Sequence, residues 1–173
     1  MVKVREIVGT VLFIELICFV ALVSLFLPSS VTAGSVINPG VGVGTIRLND
    51  NISKVFNNIG QRKADTAKRV DDEVWMTYED MGLTLGFDKS QKLKRIIVTS
   101  RGLLMEKTGI HVGSKISDVE MNYCRNAKGT RSRPQREAGG SGNTQFWKCP
   151  EQGIIFTVNT VEERVEAITI IPK

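Results

Sequence analysis

The sequence predicts an α+β protein in which an N-terminal hydrophobic segment precedes two tandem repeats, each a short helix packed on an antiparallel β-meander. Three observations support this fold class. Residues 7–27 are almost wholly apolar, residues 45–55 align without a gap onto residues 109–119, and apolar residues alternate with polar ones in short runs later in each copy. Alternation with a period of two is typical of strands that bury one face.

The hydrophobic segment has the layout of a signal peptide. Lys3 and Arg5 precede the apolar run of residues 7–27, and Val31-Thr32-Ala33 follows it with small residues where signal peptidase needs them. The run is also close to the ~20 residues that span a bilayer. We therefore predict that residues 1–33 are a signal peptide or a membrane anchor. The folded part is expected in the periplasm or outside the cell, either released or held in the inner membrane by residues 7–27.

A second interpretation of the same segment stays open. Phe13-Ile14-Glu15-Leu16-Ile17 follows Gly9 and a basic leader, and this pattern resembles the N-terminus of type IV pilins and pseudopilins. Glu15 lies one residue further from Gly9 than the glutamate of that family lies from its glycine. The helix of that family also continues beyond the membrane, whereas in this chain Pro28 follows the apolar run and interrupts a helix there. The alternative function is therefore a membrane-anchored structural or pilin-like subunit.

The charge balance argues against one class of partner. The chain has 23 Lys and Arg residues against 18 Asp and Glu residues. Domains that bind nucleic acid carry a much denser basic stripe, so we expect no nucleic-acid partner. A mild positive excess instead favours an acidic protein surface or anionic lipid.

The cysteines predict a disulfide bond. Of the three cysteines, Cys18 lies in the hydrophobic segment, which leaves Cys124 and Cys149 in the folded part. An even count in an oxidising compartment predicts a bond between these two residues, and two buried thiols are the alternative. The bond would close residues 125–144 at both ends, and these residues form a basic insertion described below.

Internal similarity divides the folded part into two copies. Beyond the first match, residues 81–85 align with 152–156 and residues 93–98 with 165–170. Nearly all the difference in length is therefore one insertion in the second copy. The predicted boundaries are repeat 1 at residues 37–99, a linker at 100–108, and repeat 2 at 109–173 with a basic insertion at 125–144.

Each copy predicts the same order of elements. A short strand, with Ile110 and Val112 in the second copy, leads to a helix capped by Asp50 or Ser114. Each helix has apolar residues at spacings of three and seven, which indicates one buried face. Three strands joined by short turns follow and predict an antiparallel meander. These strands are residues 74–79, 83–87 and 93–99 in the first copy, and 145–149, 154–158 and 165–171 in the second.

Three local patterns carry a family resemblance. They are Pro39-Gly40-Val41-Gly42-Val43-Gly44, Gly109-Ile110-His111-Val112-Gly113-Ser114, and an aromatic-rich strand before Gly82-Leu83. Over residues 37–173 the chain resembles small secreted bacterial proteins with the tandem architecture of the β-lactamase inhibitor protein. It is similar in repeat design to the small outer-membrane-assembly lipoprotein (SmpA/OmlA). The resemblance implies helix-on-sheet repeats whose open sheet face grips another envelope protein.

Adjacent bulky residues are the first candidate partner contacts. Trp75 aligns with Phe146, and Met76 aligns with Trp147. Because neighbours along a strand face opposite sides of the sheet, one member of each pair should leave the helix-covered face. We expect one aromatic from each copy near the centre of the open face, where exposed aromatics anchor partners.

The insertion is the second candidate. Arg131 and Arg133 lie in this basic, glycine-rich stretch of residues 125–144, whose composition predicts a mobile loop. Such a loop is suited to anionic lipid or an acidic surface.

No pattern in the sequence predicts catalysis, a cofactor or a metal site. The glycines of residues 40–44 alternate with valine, without the G-x-G-x-x-G spacing of a dinucleotide loop. His111 is the single histidine, and one histidine without partner ligands does not make a metal site. The predicted function is accordingly a non-enzymatic cell-envelope binding or assembly module that acts without a cofactor.

Overall fold

The computed structural model describes residues 36–123, 135–138 and 142–173. All of them belong to one unit, Ala33–Lys173. Within it, the described residues form two α-helices and two β-sheets, with more strand than helix, which confirms the predicted α+β class. The predicted signal peptide or anchor, residues 1–33, lies outside the described residues.

The described elements alternate along the chain between helix and runs of strands. The helices are α1 (Ile52–Asn58) and α2 (Ile116–Tyr123). The strands are β1 (Val36–Asn38), β2 (Gly42–Val43), β3 (Ile46–Arg47), β4 (Thr66–Val70), β5 (Glu73–Tyr78), β6 (Leu83–Phe87), β7 (Leu93–Val98), β8 (Leu104–Met105), β9 (Gln135–Ala138), β10 (Thr144–Cys149), β11 (Ile154–Asn159) and β12 (Arg164–Ile170).

Both helices lie where the apolar spacing predicts them, but the cap of α1 differs from the prediction. Asn51 is the N-cap, and its side chain accepts a hydrogen bond from the backbone N–H of Lys54 at 2.8 Å. The prediction of Asp50 was wrong because the backbone C=O of Asp50 still accepts a bond from Leu93 of β7. The helix therefore begins one residue later, and the Asp50 carboxylate instead pairs with the Lys54 ammonium at 2.8 Å.

The smaller sheet has the strand order β3-β2-β1-β8. Its strand β8 lies inside the segment predicted as a linker and pairs with β1 in parallel, with Met105 opposite Ile37. The short strand expected at Ile110 and Val112 is absent from the described structure. Gly109 and Gly113 have φ of +67° and +98°, so the chain turns on both sides of these buried residues rather than running extended.

The larger sheet is antiparallel and has the order β4-β5-β6-β7-β12-β11-β10-β9. Its inner six strands match the six predicted meander strands within one residue at every end. At its middle, β7 pairs with β12 through Ile97 and Thr169 and the residues flanking them. The two halves of the sheet are thus hydrogen-bonded into one surface.

The sequence did not predict the two outermost strands. All five residues of β4 are exposed, so this strand lacks the apolar alternation that reveals a half-buried strand. β9 pairs with β10 from within the insertion of residues 125–144, so the prediction of a loop throughout that stretch was wrong. Both strands lie at the edges of the sheet, where each pairs its backbone with one neighbouring strand, β4 with β5 and β9 with β10.

One face of the larger sheet forms the core with the helices. Val55 of α1 and Val119 of α2 are buried with strand residues such as Leu85 and Ile96. Tyr123 packs edge-on against Phe156, with ring centroids 5.4 Å apart and an interplanar angle of 62°. Burying each such side chain contributes roughly 1.5–3 kcal/mol, which offsets the weak stability of the short helices alone.

Two glycines fix how the meanders turn. Gly82 follows a single 3-10 turn after β5, and Gly153 follows one after β10, with φ of +59° and +67°. A Cβ at Gly153 would lie 2.4 Å from the Gly40 Cα and 2.6 Å from the Ile171 carbonyl oxygen. Only glycine fits both the left-handed backbone and the space, so this turn joins the larger sheet closely to the β1–β2 connection.

Candidate binding surface

The face of the larger sheet opposite the helices carries partly exposed side chains, and we call it the open face. Residues that pair directly across antiparallel strands share a face, so the pairing register identifies its members. Each of the described inner strands contributes side chains that alternate with buried core residues. The members used below are Trp75, Thr77, Thr84, Ile97, Thr169, Ile155, Thr157 and Phe146, all of which are partly exposed.

A row rich in threonine crosses the middle of the open face. Thr77, Thr84, Ile97, Thr169 and Ile155 are cross-strand neighbours on five successive strands. The hydroxyls of Thr77 and Thr84 lie 3.2 Å apart. Hydroxyl and methyl groups in alternation give a surface that can both donate hydrogen bonds and exclude water, which suits a macromolecular contact.

The aromatic candidates divide between the two faces. Trp75 of β5 and Phe146 of β10 lie on the open face and are partly exposed. Met76 packs against the core from the other face, and Trp147 is only 3% exposed there, with its indole N–H 3.4 Å from Gln145 Oε1. Of the four predicted contacts, only Trp75 and Phe146 can reach a partner at this face.

The two aromatics lie near opposite edges, not at the centre as expected. Trp75 is on the second strand from one edge and Phe146 on the second strand from the other. Five inter-strand steps of roughly 4.8 Å separate these strands by ~24 Å. A small molecule can contact one aromatic but not both.

Trp75 is held in a defined position. Its cross-strand neighbour is Gly86, where a Cβ would lie 3.0 Å from the indole Cζ3, so the ring occupies the space that a side chain would take. The guanidinium carbon of Arg95 lies 5.8 Å from the ring centroid, and Arg95 Nη2 lies 3.7 Å from Glu73 Oε1. A cation over an aromatic ring stabilises this arrangement by about 0.5–1 kcal/mol at an exposed site.

The sequence did not identify Gly86, Arg95 or Lys68 as parts of this surface. Gly86 gave a usable signal, because glycine inside a strand often marks a close approach by another group. Lys68 and Arg95 gave none, because they come from different strands and only the register brings them beside Trp75.

A concavity lies on the helix-covered face. Its volume is about 580 Å³, and it opens between the start of α2, strand β10 and the turn that joins β11 to β12. Carboxylates and cations both line it, and Arg164 donates to the Gly113 carbonyl at 2.7 Å. This concavity is on the opposite side of the sheet from Trp75 and Phe146.

His111 is engaged in its own loop. Its Nδ1 lies 3.0 Å from the Gly109 carbonyl oxygen and 3.1 Å from Ser114 Oγ, and Ser114 Oγ accepts the His111 backbone N–H at 3.0 Å. Among the described residues, no three His, Cys, Asp or Glu side chains are grouped so as to hold a metal ion.

Three predicted site residues lie outside the described residues: Cys124, Arg131 and Arg133. Cys149, the predicted disulfide partner of Cys124, is described and is buried at the end of β10. In the parts of the chain that the structure describes, no helix has the length and hydropathy needed to cross a membrane.

Comparison with known proteins gives a fold but no family. No family model and no curated protein matches the chain. The chain is similar to the crystal structure of the uncharacterized protein YfeY from Escherichia coli, with a TM-score of 0.52 and 14% identity, over 79% of this chain and 99% of that one. An extracellular protein containing an SCP domain from Bacillus anthracis also matches, with a TM-score of 0.48, 8% identity, and 73% of this chain against 44% of that one. The likeness to YfeY shows a shared fold.

Proposed function

We propose that this protein is a non-enzymatic cell-envelope module that binds or assembles another envelope protein through the open face. The observation that carries the proposal is the pair of partly exposed aromatics, Trp75 and Phe146, on one continuous antiparallel surface. Aromatic side chains are enriched where partners bind, and this face has a threonine-rich centre between them.

The distance between the aromatics favours a macromolecular partner. Strand spacing separates them by roughly 24 Å, which one protein surface can span and a small ligand cannot. A partner that contacts both would cover the middle row of Thr84, Ile97 and Thr169 as well.

The tandem-repeat arrangement is part of the proposal. A helix followed by four antiparallel strands occurs twice in the described elements, α1 with β4–β7 and α2 with β9–β12. Gly82 and Gly153 occupy the same place in the two runs, after a 3-10 turn and before the third strand of each. These correspondences support two diverged copies of one α+β unit, in keeping with the resemblance to the β-lactamase inhibitor protein and to the assembly lipoprotein.

We further propose export and a bond between Cys124 and Cys149. Tyr123, the residue before Cys124, packs against Phe156 of β11, and β11 pairs with β10, the strand that ends at Cys149. Consecutive Cα atoms are only ~3.8 Å apart, which supports proximity of the two cysteines.

Intact-mass spectrometry of the protein from its host, without reductant, tests both ideas. If the segment is cleaved, we expect the measured mass to equal that of residues 34–173. The disulfide bond should lower this mass by that of two hydrogen atoms. A loop of about 25 residues gives the bond roughly 3–4 kcal/mol of stabilisation, so Cys124→Ala should lower the free energy of unfolding by about that amount. Cys18→Ala is the control and should not change it. A soluble cytoplasmic protein that begins at Met1, with both thiols open to alkylation, would contradict both proposals.

Site-specific photo-crosslinking in the host tests the open face. A crosslinking amino acid at Thr84 or Thr157 should yield a discrete adduct with an envelope protein. The same group at Val161 or Met121, which are 70% and 51% exposed and lie outside the open face, should not. Trp75→Ala should reduce the adduct even at Thr157, because a single partner is expected to contact both halves of the sheet. Equal yields at all four positions, or none at Thr84 and Thr157, would refute the proposal.

A further inference from the structure

We infer that one corner of the open face recognises a protein segment in which an acidic side chain lies next to an apolar one. The corner consists of Lys68, Val70, Glu73, Trp75 and Arg95, and we call it the Trp75 corner. The inference rests on the proposed function, since it states the chemistry of the partner at that surface.

Register places these side chains together. Lys68, Trp75, Gly86 and Arg95 are successive cross-strand neighbours on β4, β5, β6 and β7. Val70 pairs with Glu73 one step further along the same face. The corner therefore presents a cation, an indole ring and a second cation in one row, with an aliphatic side chain beside it.

The apolar part of the corner is already organised for binding. The indole lies against Gly86, and Arg95 sits at its face, so the ring has little freedom left to lose when a partner packs on it. Val70 is 53% exposed beside it. Together they offer an apolar platform for one side chain of a partner.

The charged residues of the corner determine which type of partner residue can lie next to the apolar side chain that packs on the indole. Glu73 is paired with Arg95, yet 51% of the Arg95 side chain remains exposed. Its guanidinium can therefore donate hydrogen bonds to a second carboxylate. Among the residues that the structure describes, Lys68 makes no ion pair, and every residue of its strand is exposed. The row of Lys68, Trp75 and Arg95 holds two accessible cations, whereas the carboxylates of Asp71 and Asp72 lie in the β4–β5 turn beyond Val70 and Glu73. An acidic group on the partner is therefore favoured at the row itself.

A protein segment fits this corner better than a lipid surface. The other large apolar side chains exposed on the described residues, Val41, Leu104, Met121 and Val161, are not on the open face. Insertion into a bilayer interface needs several such side chains on one face, whereas the open face offers threonine hydroxyls around Trp75.

Selection of peptides from a random displayed library, with the full chain as target, tests the inference. Wild-type protein should enrich peptides with Asp or Glu adjacent to an aromatic or aliphatic residue. The triple variant Lys68→Glu, Glu73→Lys and Arg95→Glu keeps an opposite-charge pair at Glu73 and Arg95 but reverses the charge of the corner. It should enrich peptides with Lys or Arg in the acidic position.

A selected peptide then serves as the probe. Trp75→Ala should weaken its binding by roughly 30-fold, the effect typical of an interface hot spot, and higher salt should weaken binding to the wild type. Val161→Ala, exposed and away from the face, is the matched control and should bind as the wild type does. Circular dichroism of each variant confirms that a loss of binding is not a loss of fold.

Three outcomes would overturn the inference. The first is that the selected peptides lack a preference for acidic residues, and the second is that the charge-reversed variant selects the same peptides as the wild type. The third is that no peptide is selected, whereas vesicles of phosphatidylglycerol bind and the Lys68→Glu, Arg95→Glu variant loses that binding. None of these three outcomes would by itself refute the proposed function, which the photo-crosslinking experiment tests separately. If adducts at Thr84 and Thr157 persist in the Lys68→Glu, Arg95→Glu variant, the open face binds a partner without this corner.

Discussion

Replacing Gly153 with alanine is expected to destabilise the protein by roughly 2–5 kcal/mol, because a left-handed backbone costs an L-residue about 1–2 kcal/mol and a clash with fixed atoms costs about 1–3 kcal/mol more. The atoms that the new methyl group would meet belong to the backbones of Gly40 and Ile171. The Gly153 carbonyl also accepts bonds from the N–H groups of those two residues, at 3.2 and 3.0 Å. The substitution would therefore separate the larger sheet from the β1–β2 turn.

Gly60→Ala is the matched control for this prediction. Gly60 also has a positive φ, +73°, but no atom lies within 4 Å of the position of its missing Cβ. Chemical denaturation should show a loss of about 1–2 kcal/mol for Gly60→Ala, the conformational cost alone, and a clearly larger loss for Gly153→Ala. Equal losses in the two variants would show that the contact between Gly153 and Gly40 does not constrain the fold.

Truncating Phe156 to alanine is expected to cost about 3–5 kcal/mol, a large share of the roughly 5–15 kcal/mol by which native proteins are stable. Phe156 is fully buried in β11, between Trp147 and Ile168 on the neighbouring strands, and its ring meets Tyr123 of α2. Removing it leaves a cavity between the sheet and the helix. The open face is on the other side of these strands, so the substitution does not alter the binding surface itself. Partner binding should therefore fall only in proportion to the fraction of folded protein.

Thermal denaturation measures this effect, with a fall in Tm on the order of 10 °C or more. Val161→Ala removes apolar atoms from a side chain that is 70% exposed and should change stability by no more than about 0.5 kcal/mol. Phe156→Leu keeps much of the volume and should lose less than the alanine variant. A Phe156→Ala protein as stable as the wild type would mean that α2 is not held by this contact.

The inner strands of the larger sheet could be predicted because each carries its own signal. In Leu83-Thr84-Leu85 and in Ile168-Thr169-Ile170, apolar residues alternate with threonine, and the structure buries the apolar ones while leaving the threonines partly exposed. The edge strands β4 and β9 have no such signal, because their formation depends on the free backbone groups of β5 and β10.

The sequence alone determined that adjacent bulky residues in β5 and β10 must face opposite sides, since alternation is a property of any strand. Which member of each pair faces outward was decided only by tertiary structure: the core lies on the side of Met76 and Trp147, and this leaves Trp75 and Phe146 on the open face. The Trp75 corner likewise depends on register. Lys68, Gly86 and Arg95 are far apart in the chain, and only hydrogen bonding between neighbouring strands brings them beside one indole ring.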